Sequence, residues 1–286
     1  MLHERIKVNK DEQYLTINDQ KVRIYLSNND NKQKANIVPL LVCNGLGMSI
    51  ETIVPFTKLF ANRTIIHFDV PAVGKSSLPF VPLSLENYTD ITKKMITALG
   101  YDQVDMLGIS WGGILAQEFT RQYPQKVNKL ILSVTSAGYC VTIPSPFQVM
   151  MGLTFPLCFF NQYYRDLIAG PLYGGVVHSQ PRYAQEHDKR NINPNIYGYF
   201  SQLVATGGWA SVPWLHTLEH ETLVISGKHD SVIPSINQQV LASLIPNATL
   251  QVINCGHLLM VTKAAEVSAL VKEFLGEPLA EDAKAV

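Results

Sequence analysis

The sequence predicts a mostly parallel eight-stranded sheet flanked by helices on both faces, with one inserted, mainly helical cap. Two observations carry this expectation. Short apolar segments of strand length alternate with amphipathic segments of helix length along most of the chain, a pattern that means parallel strands joined by helices which cover both faces of the sheet. The alternation stops once, from Cys140 to about Leu218, where seven prolines from Pro144 to Pro213 are spread and 13 of the 26 aromatic residues gather. An insertion lying over the carboxyl edge of the sheet suits that composition, and chemistry in such sheets collects at that edge.

Element by element, "YLTIN" and "KVRIYLSN" read as an opening hairpin across Asp19-Gln20. The buried strand "IVPLLVCNG" follows, then a helix from about Glu51, the strand "TIIHFDV" and a helix from Leu85 to Leu99. "QVDMLGIS" and "KLILSVTS" are further strands with a helix between them, by their period. Beyond the insertion come "ETLVISG", a helix from Ile236 to Leu244, "ATLQVIN" and a last helix from Ala264 to Leu275. The core is thus expected at 1–139 and 219–286, and the cap at 140–218.

Composition narrows the function classes. A chain of 286 residues, 47% hydrophobic and 16% charged, buries a large core without help from metal or disulfides. Its 23 basic residues balance 23 acidic ones, so no overall field draws nucleic acid or an anionic membrane, and a partner must be recognised by shape and apolar contact. Cys43, Cys140, Cys158 and Cys255 lie far apart with no C-x-x-C pair, which argues against a zinc or redox site and for free thiols. The opening "MLHERIKVNKDEQYLTIN" is charged throughout and lacks a secretory signal, so the expected location is the cytoplasm. The run from Leu130 to Tyr164 has no charged residue, yet the prolines in "VTIPSPFQVMMGLTFPLCFF" make it a poor membrane-spanning helix.

The stretch Gly108-Ile109-Ser110-Trp111-Gly112 sits where an apolar strand ends and an amphipathic helix begins. G-x-S-x-G at such a junction describes a sharp turn that holds the serine in a strained conformation above the sheet, the glycines removing side chains that would collide. Alone, the pattern also fits a serine that merely caps a helix. A serine nucleophile needs a histidine to take its proton and a carboxylate to fix that histidine's tautomer. "LVISG" is followed by "KHD", placing Asp230 just past a strand end, and "LQVIN" by "CGH", placing His257 just past the next. Singly, Asp230 could cap a turn and His257 could be an ordinary loop histidine. Three complementary groups at three strand ends, in the order Ser, Asp, His, favour a catalytic trio.

Acyl transfer also needs donors for an oxyanion. The amides of Trp111, next to the nucleophile, and of Leu46, in "CNGLGMS", fit that role, with Gly45 and Gly47 allowing a carbonyl to approach. The same "NGLG" equally suits an ordinary glycine turn. His229 is expected to face solvent, His67 to be packed in the core, and Asp69 to tie its own turn together. His178, His187, His216 and His220 follow no metal-ligand spacing, so neither metal nor cofactor is expected.

These segments resemble the α/β-hydrolase superfamily and, more narrowly, the intracellular poly(3-hydroxyalkanoate) depolymerases of bacteria. The resemblance rests on "CNGLGMSIETIVPF", "FDVPAVGKSS", "LGISWGGILAQEF", "LYGG", "GWASVPWLH", "DSVIPSINQQVLASLIPNATLQVIN" and "CGHLLMVT", spanning roughly Leu40 to Leu275. It implies a nucleophile at Ser110, an acid at Asp230, a base at His257 and an oxyanion turn at Asn44 to Gly47. Ala72 and Lys75 stand where that family usually has glycine, which bears on substrate more than on chemistry. The implied activity is hydrolysis of an apolar storage polyester, medium-chain in its side groups, to 3-hydroxy acids, in the cytoplasm and at polymer granules. The alternatives are a soluble carboxylesterase or lipase acting on small or glyceride esters, and a non-catalytic ligand-binding protein on the same scaffold. Phe159, Phe160, Tyr164 and Trp209 are the candidates to line the pocket, and the sequence alone leaves open which of them face inward.

Overall fold

The computed structural model describes residues 6–7, 12–27, 37–138, 150 and 153–277. Its single sheet runs in the order β1-β2-β3-β5-β4-β6-β7-β8-β9. These strands are β1 (Ile6–Lys7), β2 (Glu12–Ile17), β3 (Gln20–Ser27), β4 (Leu40–Cys43), β5 (Ile65–Phe68), β6 (Val104–Ile109), β7 (Val127–Ser133), β8 (Thr222–Gly227) and β9 (Ala248–Ile253). Eight are the expected strands, and β1 adds a two-residue edge. Pairing is antiparallel from β1 through β3 to β5 and parallel across β5, β4, β6, β7, β8 and β9.

The alternation of side chains along each strand divides the core in two. Leu41, Met106, Leu132 and Val224 face one layer, with helices Leu85–Ala98, Trp111–Gln122 and Ile236–Leu244 packed on it. Leu40, Val42, Leu107, Ile131 and Ile225 face the other, closed by Phe56, Phe60 and the helix Ala264–Phe274. Because both faces are covered, β4 and β6 are buried at every position. The helix Leu85–Ala98 begins where the sequence places it because Ser84 and Asn87 form a reciprocal capping box, satisfying donors the first turn leaves open.

Two local expectations are corrected. The hairpin turns at Asn18-Asp19, with φ of 51° and 60°, and Ile17 pairs with Gln20. Two consecutive left-handed residues make the turn that matches strand twist, and Asn and Asp tolerate that region better than Gln does. The helix expected from Glu51 is only a 3-10 turn, Ile50–Thr52, followed by Val54–Thr57. Pro55 lacks the N–H that a continuous helix would direct at Glu51.

Between β7 and β8 the chain forms helices Gln162–Tyr173, Val176–Ser179, Arg182–Arg190 and Ile196–Ala205. Asn161 and Asn195 cap the first and last by accepting from Tyr164 and Gly198 backbone amides. These helices lie against the segments that follow five strands, β4, β5, β6, β8 and β9. Asn195 donates to the Ala72 carbonyl, the Gln202 carbonyl accepts from Trp111 Nε1, and the Tyr173 carbonyl accepts from the His257 amide. Gly174 packs so closely on the His229 carbonyl that a Cβ there would lie 2.0 Å from its oxygen. Cys140 and most of the uncharged "VTIPSPFQVMMG" segment fall outside the described residues. No described helix is long and apolar enough to cross a membrane.

Candidate active site

Ser110 follows β6 with φ 54° and ψ −119°, a region that is strained for any residue bearing a Cβ. The turn persists because its neighbours leave no alternative. A Cβ on Gly112 would lie 2.0 Å from the Cys43 carbonyl oxygen, and one on Gly108 would lie 2.6 Å from both the Gly112 oxygen and Gly113 Cα. The expected collision is therefore real at both glycines. Gly112→Ala should cost about 3 kcal/mol, the upper end for overpacking, because backbone on both sides must move. Urea unfolding checks this; a loss under 1 kcal/mol would mean the turn is looser than its contacts.

The side chain of Ser110 makes no helix-capping hydrogen bond, so the plain capping role is excluded. Its Oγ lies 3.2 Å from His257 Nε2, and His257 Nδ1 lies 2.7 Å from Asp230 Oδ2. The other carboxylate oxygen of Asp230 accepts the amides of Val232 and Ile233, each at 2.9 Å. Asp230 is thereby fixed in orientation, and its side chain is sealed from solvent. A carboxylate against Nδ1 holds the proton there and leaves the Nε2 lone pair facing the serine hydroxyl. Three strand ends, β6, β8 and β9, thus bring together the three residues that the sequence singles out.

Next to Ser110 stands the turn Asn44–Gly47. A Cβ on Gly45 would be 3.7 Å from Ser110 Cβ, so this backbone flanks the serine directly. Asn44 shapes the turn, accepting from the Gly45 amide and donating to the Ser49 carbonyl and Thr52 Oγ1. The Gly47 amide donates to Gln202 Oε1 at 2.6 Å and the Met48 amide to the Gly45 carbonyl at 3.1 Å. Among the described residues, the amides of Leu46 and Trp111 donate to no protein acceptor. Those are the two donors expected for an oxyanion.

Ser110 and His257 border a cavity of about 240 Å³, walled by Ile53, Met260 and Val261 from the sheet side and by Phe155, Leu172 and Tyr199 from the inserted helices. The candidate aromatics are mostly elsewhere. Phe160 is 77% exposed, Trp209 packs on Trp214 and donates to Glu118, and Tyr164 donates to Thr154. Phe159 borders a second, neighbouring cavity. In their place Phe155 stacks on Tyr199 at 4.9 Å, and Tyr173 lies over the His257 ring, nearly parallel to it, at 6.5 Å.

The remaining histidines and acids fall into place. His229 is exposed and meets Asn254. His67 is buried, and burial pushes its pKa down to about 3. Asp69 accepts from the amides of Ile50 and Lys75 and from Arg23, so it ties two turns together. Ala72 takes a left-handed φ of 71° in the loop that receives Asn195. His187, set aside in the sequence, borders the main cavity. Burial, aided by Arg190 and His257, lowers its pKa to about 4, so it is neutral there. Cys43, Cys158 and Cys255 are free and buried. No group of three His, Cys, Asp or Glu residues among the described ones could hold a metal ion.

A strained serine between a histidine and two open amides, at the carboxyl end of a parallel sheet, invites comparison with known proteins. The model for the alpha/beta hydrolase fold matches residues 38–264. The chain belongs to the α/β-hydrolase family. Among relatives of this α/β hydrolase is the poly(3-hydroxyalkanoate) depolymerase of Ectopseudomonas oleovorans, 38% identical over 243 residues that cover 85% of this chain and 86% of the relative. A 2-hydroxymuconate semialdehyde hydrolase of Pseudomonas putida is 30% identical over 224 residues, 75% of this chain and 78% of the relative. Among solved structures, a hydrolase from Pseudomonas aeruginosa PA01 superposes with a TM-score of 0.80 at 20% identity, covering 94% of this chain and all of the other. That likeness concerns the fold alone.

Proposed function

We propose that this hydrolase cleaves the ester bonds of an apolar polyester, a poly(3-hydroxyalkanoate) with medium-length side chains, through an acyl-enzyme on Ser110 that releases 3-hydroxy acids. The observation that carries the reading is the relay from Ser110 Oγ through His257 to Asp230 at the floor of a cavity walled by aliphatic and aromatic side chains. The name of the 38% identical relative supports the polyester over other esters. We assign residues 140–218 as a cap over a core of 1–139 and 219–286, and place the protein in the cytoplasm, with contact to a polymer granule as an alternative to a cap that only covers the pocket.

In this mechanism His257 Nε2 takes the hydroxyl proton of Ser110 as Oγ attacks the ester carbonyl. Asp230 keeps Nδ1 protonated and steadies the imidazolium that forms. Negative charge develops on the carbonyl oxygen, and the Leu46 and Trp111 amides receive it without having to leave another acceptor, which is where such preorganised donors are most effective. Collapse of the tetrahedral intermediate expels the alkoxide of the next unit, which takes the proton from His257. Water then enters, gives a proton to the same nitrogen and attacks the acyl-enzyme, so a 3-hydroxy acid leaves and Ser110 is restored. Every proton passes through one histidine, and all steps use side chains and amides of this chain.

The deciding measurement is hydrolysis of a purified medium-chain polyester suspension beside short p-nitrophenyl esters. Release of 3-hydroxyoctanoate supports the reading; rapid turnover of acetate esters with none of polymer would make the protein a soluble esterase. No turnover of any ester would make it a ligand-binding protein. The cavity wall makes a finer expectation. Phe155→Ala should lower the kcat/KM ratio of octanoate to acetate ester about tenfold, because an octanoyl chain loses contact area worth about 1.4 kcal/mol, a little under two buried methylenes at about 0.8 kcal/mol each. Equal slowing of both esters would assign Phe155 to packing alone.

A further inference from the structure

A second cavity of about 130 Å³ abuts the first, and Leu46, Met48, Phe155, Leu172 and Tyr199 border both. Its character differs. Besides Phe159 and Ile168 it is bordered by Arg165, from the helix Gln162–Tyr173, and Asp188, from the helix Arg182–Arg190. The relay at Ser110 has no use for either charge.

The pair is incompletely matched. Arg165 Nε and Asp188 Oδ2 are 3.9 Å apart, within range of attraction but too far for a hydrogen bond. Arg165 places one of its donors, Nη1, on the Cys158 carbonyl. The Asp188 carboxylate accepts no hydrogen bond among the described residues, and burial raises its pKa to about 6 although Arg165 pulls the other way. A guanidinium carries five donors in a planar fork suited to a carboxylate. Among the described residues most of that fork is unspent, beside a cavity that starts at the oxyanion turn. The two side chains keep 35% and 27% of their surface exposed, so the unspent donors are open to an incoming ligand.

We propose that the second cavity binds the free carboxylate at the end of a short oligoester, held by Arg165 while the ester bond nearest that end lies at Ser110. The assignment rests on the polyester reading above and adds that the enzyme prefers chains with an ionised end. In chemical terms the leaving alkoxide belongs to the unit whose carboxylate Arg165 holds. It departs as a hydroxy acid with the proton from His257, and the acyl part stays on Ser110 until water releases it. Asp188 limits this affinity by sharing the guanidinium, which also lets the product leave.

The test compares dimers and trimers of 3-hydroxyoctanoate, each as free acid and as methyl ester, on the wild-type enzyme. The free acid of at least one length should be hydrolysed with kcat/KM at least tenfold above its methyl ester, mainly through KM. Arg165→Met should bring the two within about twofold, and Asp188→Asn should widen the gap. The second variant moves the ratio in the opposite direction, so the proposal stays exposed if Arg165→Met fails to fold. Equal rates on acid and methyl ester, with both cleaved, overturn the carboxylate site and leave the polyester reading standing. If p-nitrophenyl octanoate is turned over while no oligoester is cleaved, the polyester reading falls and this inference falls with it.

Discussion

Ser110→Ala should lower kcat on a medium-chain ester by about 10⁶, the size of loss expected when a nucleophile is removed from residues that act as a unit. Without Oγ, His257 has no hydroxyl to deprotonate 3.2 Å from its Nε2, and no acyl-enzyme forms. The residual rate reports what the Leu46 and Trp111 amides and the cavity contribute by binding and polarising the ester. Stability should change little, because alanine keeps the Cβ and the elbow is held by its backbone contacts. A serine-directed phosphonate gives the complementary result: one adduct, at Ser110, found by mass spectrometry of the wild-type protein. Ser231 also borders the cavity, so it is the informative competitor. An adduct on Ser231 or Ser136, or a Ser110→Ala enzyme with ordinary turnover, would remove Ser110 from the chemistry.

What could be read before the structure follows from how each feature is encoded. Parallel strands buried on both faces leave continuous apolar runs such as "VDMLGI", and their carboxyl ends are marked by residues that no packing argument requires, Ser110, Asp230 and His257. Backbone collisions at Gly108 and Gly112 were legible for the same reason, since a turn that sharp at a strand-to-helix junction excludes side chains. The inserted helices are another matter. Those between β7 and β8 run from four to twelve residues and carry aromatics around their circumference, so helical period does not tell which ring faces inward. Phe155 and Tyr199 border the cavity while Phe160, equally apolar, faces solvent. His187 and Tyr173 show the limit most clearly. His187 reaches the site through packing between segments distant in sequence, with no local motif to mark it, and Tyr173 lies in "LYGG", which does not tell that its ring turns toward His257. Arg165 and Asp188 meet across two helices that are near neighbours in sequence, Gln162–Tyr173 and Arg182–Arg190, and no motif marks that pair.

Asp230→Asn should reduce kcat about 10⁴-fold while leaving the protein folded, and the hydrogen bonds around Asp230 explain why so small a change has so large an effect. One carboxylate oxygen already accepts the amides of Val232 and Ile233. An asparagine must put its carbonyl oxygen there, because turning its NH₂ toward those two donors would leave buried N–H groups unpaired at about 1–3 kcal/mol each. Its NH₂ then points at His257 Nδ1 from the position now held by Oδ2, 2.7 Å away. A donor at that point makes Nδ1 the acceptor and moves the ring proton to Nε2. The imidazole then presents N–H to Ser110 where it must present a lone pair, and the base is lost without any loss of geometry. Steady-state kinetics with urea unfolding separates this outcome from simple destabilisation: kcat should collapse while the unfolding midpoint stays near that of the wild type. Near-normal turnover by a folded Asp230→Asn enzyme would mean that another group sets the tautomer of His257. A collapse of both quantities would mean that Asp230 serves mainly to hold the loop after β8.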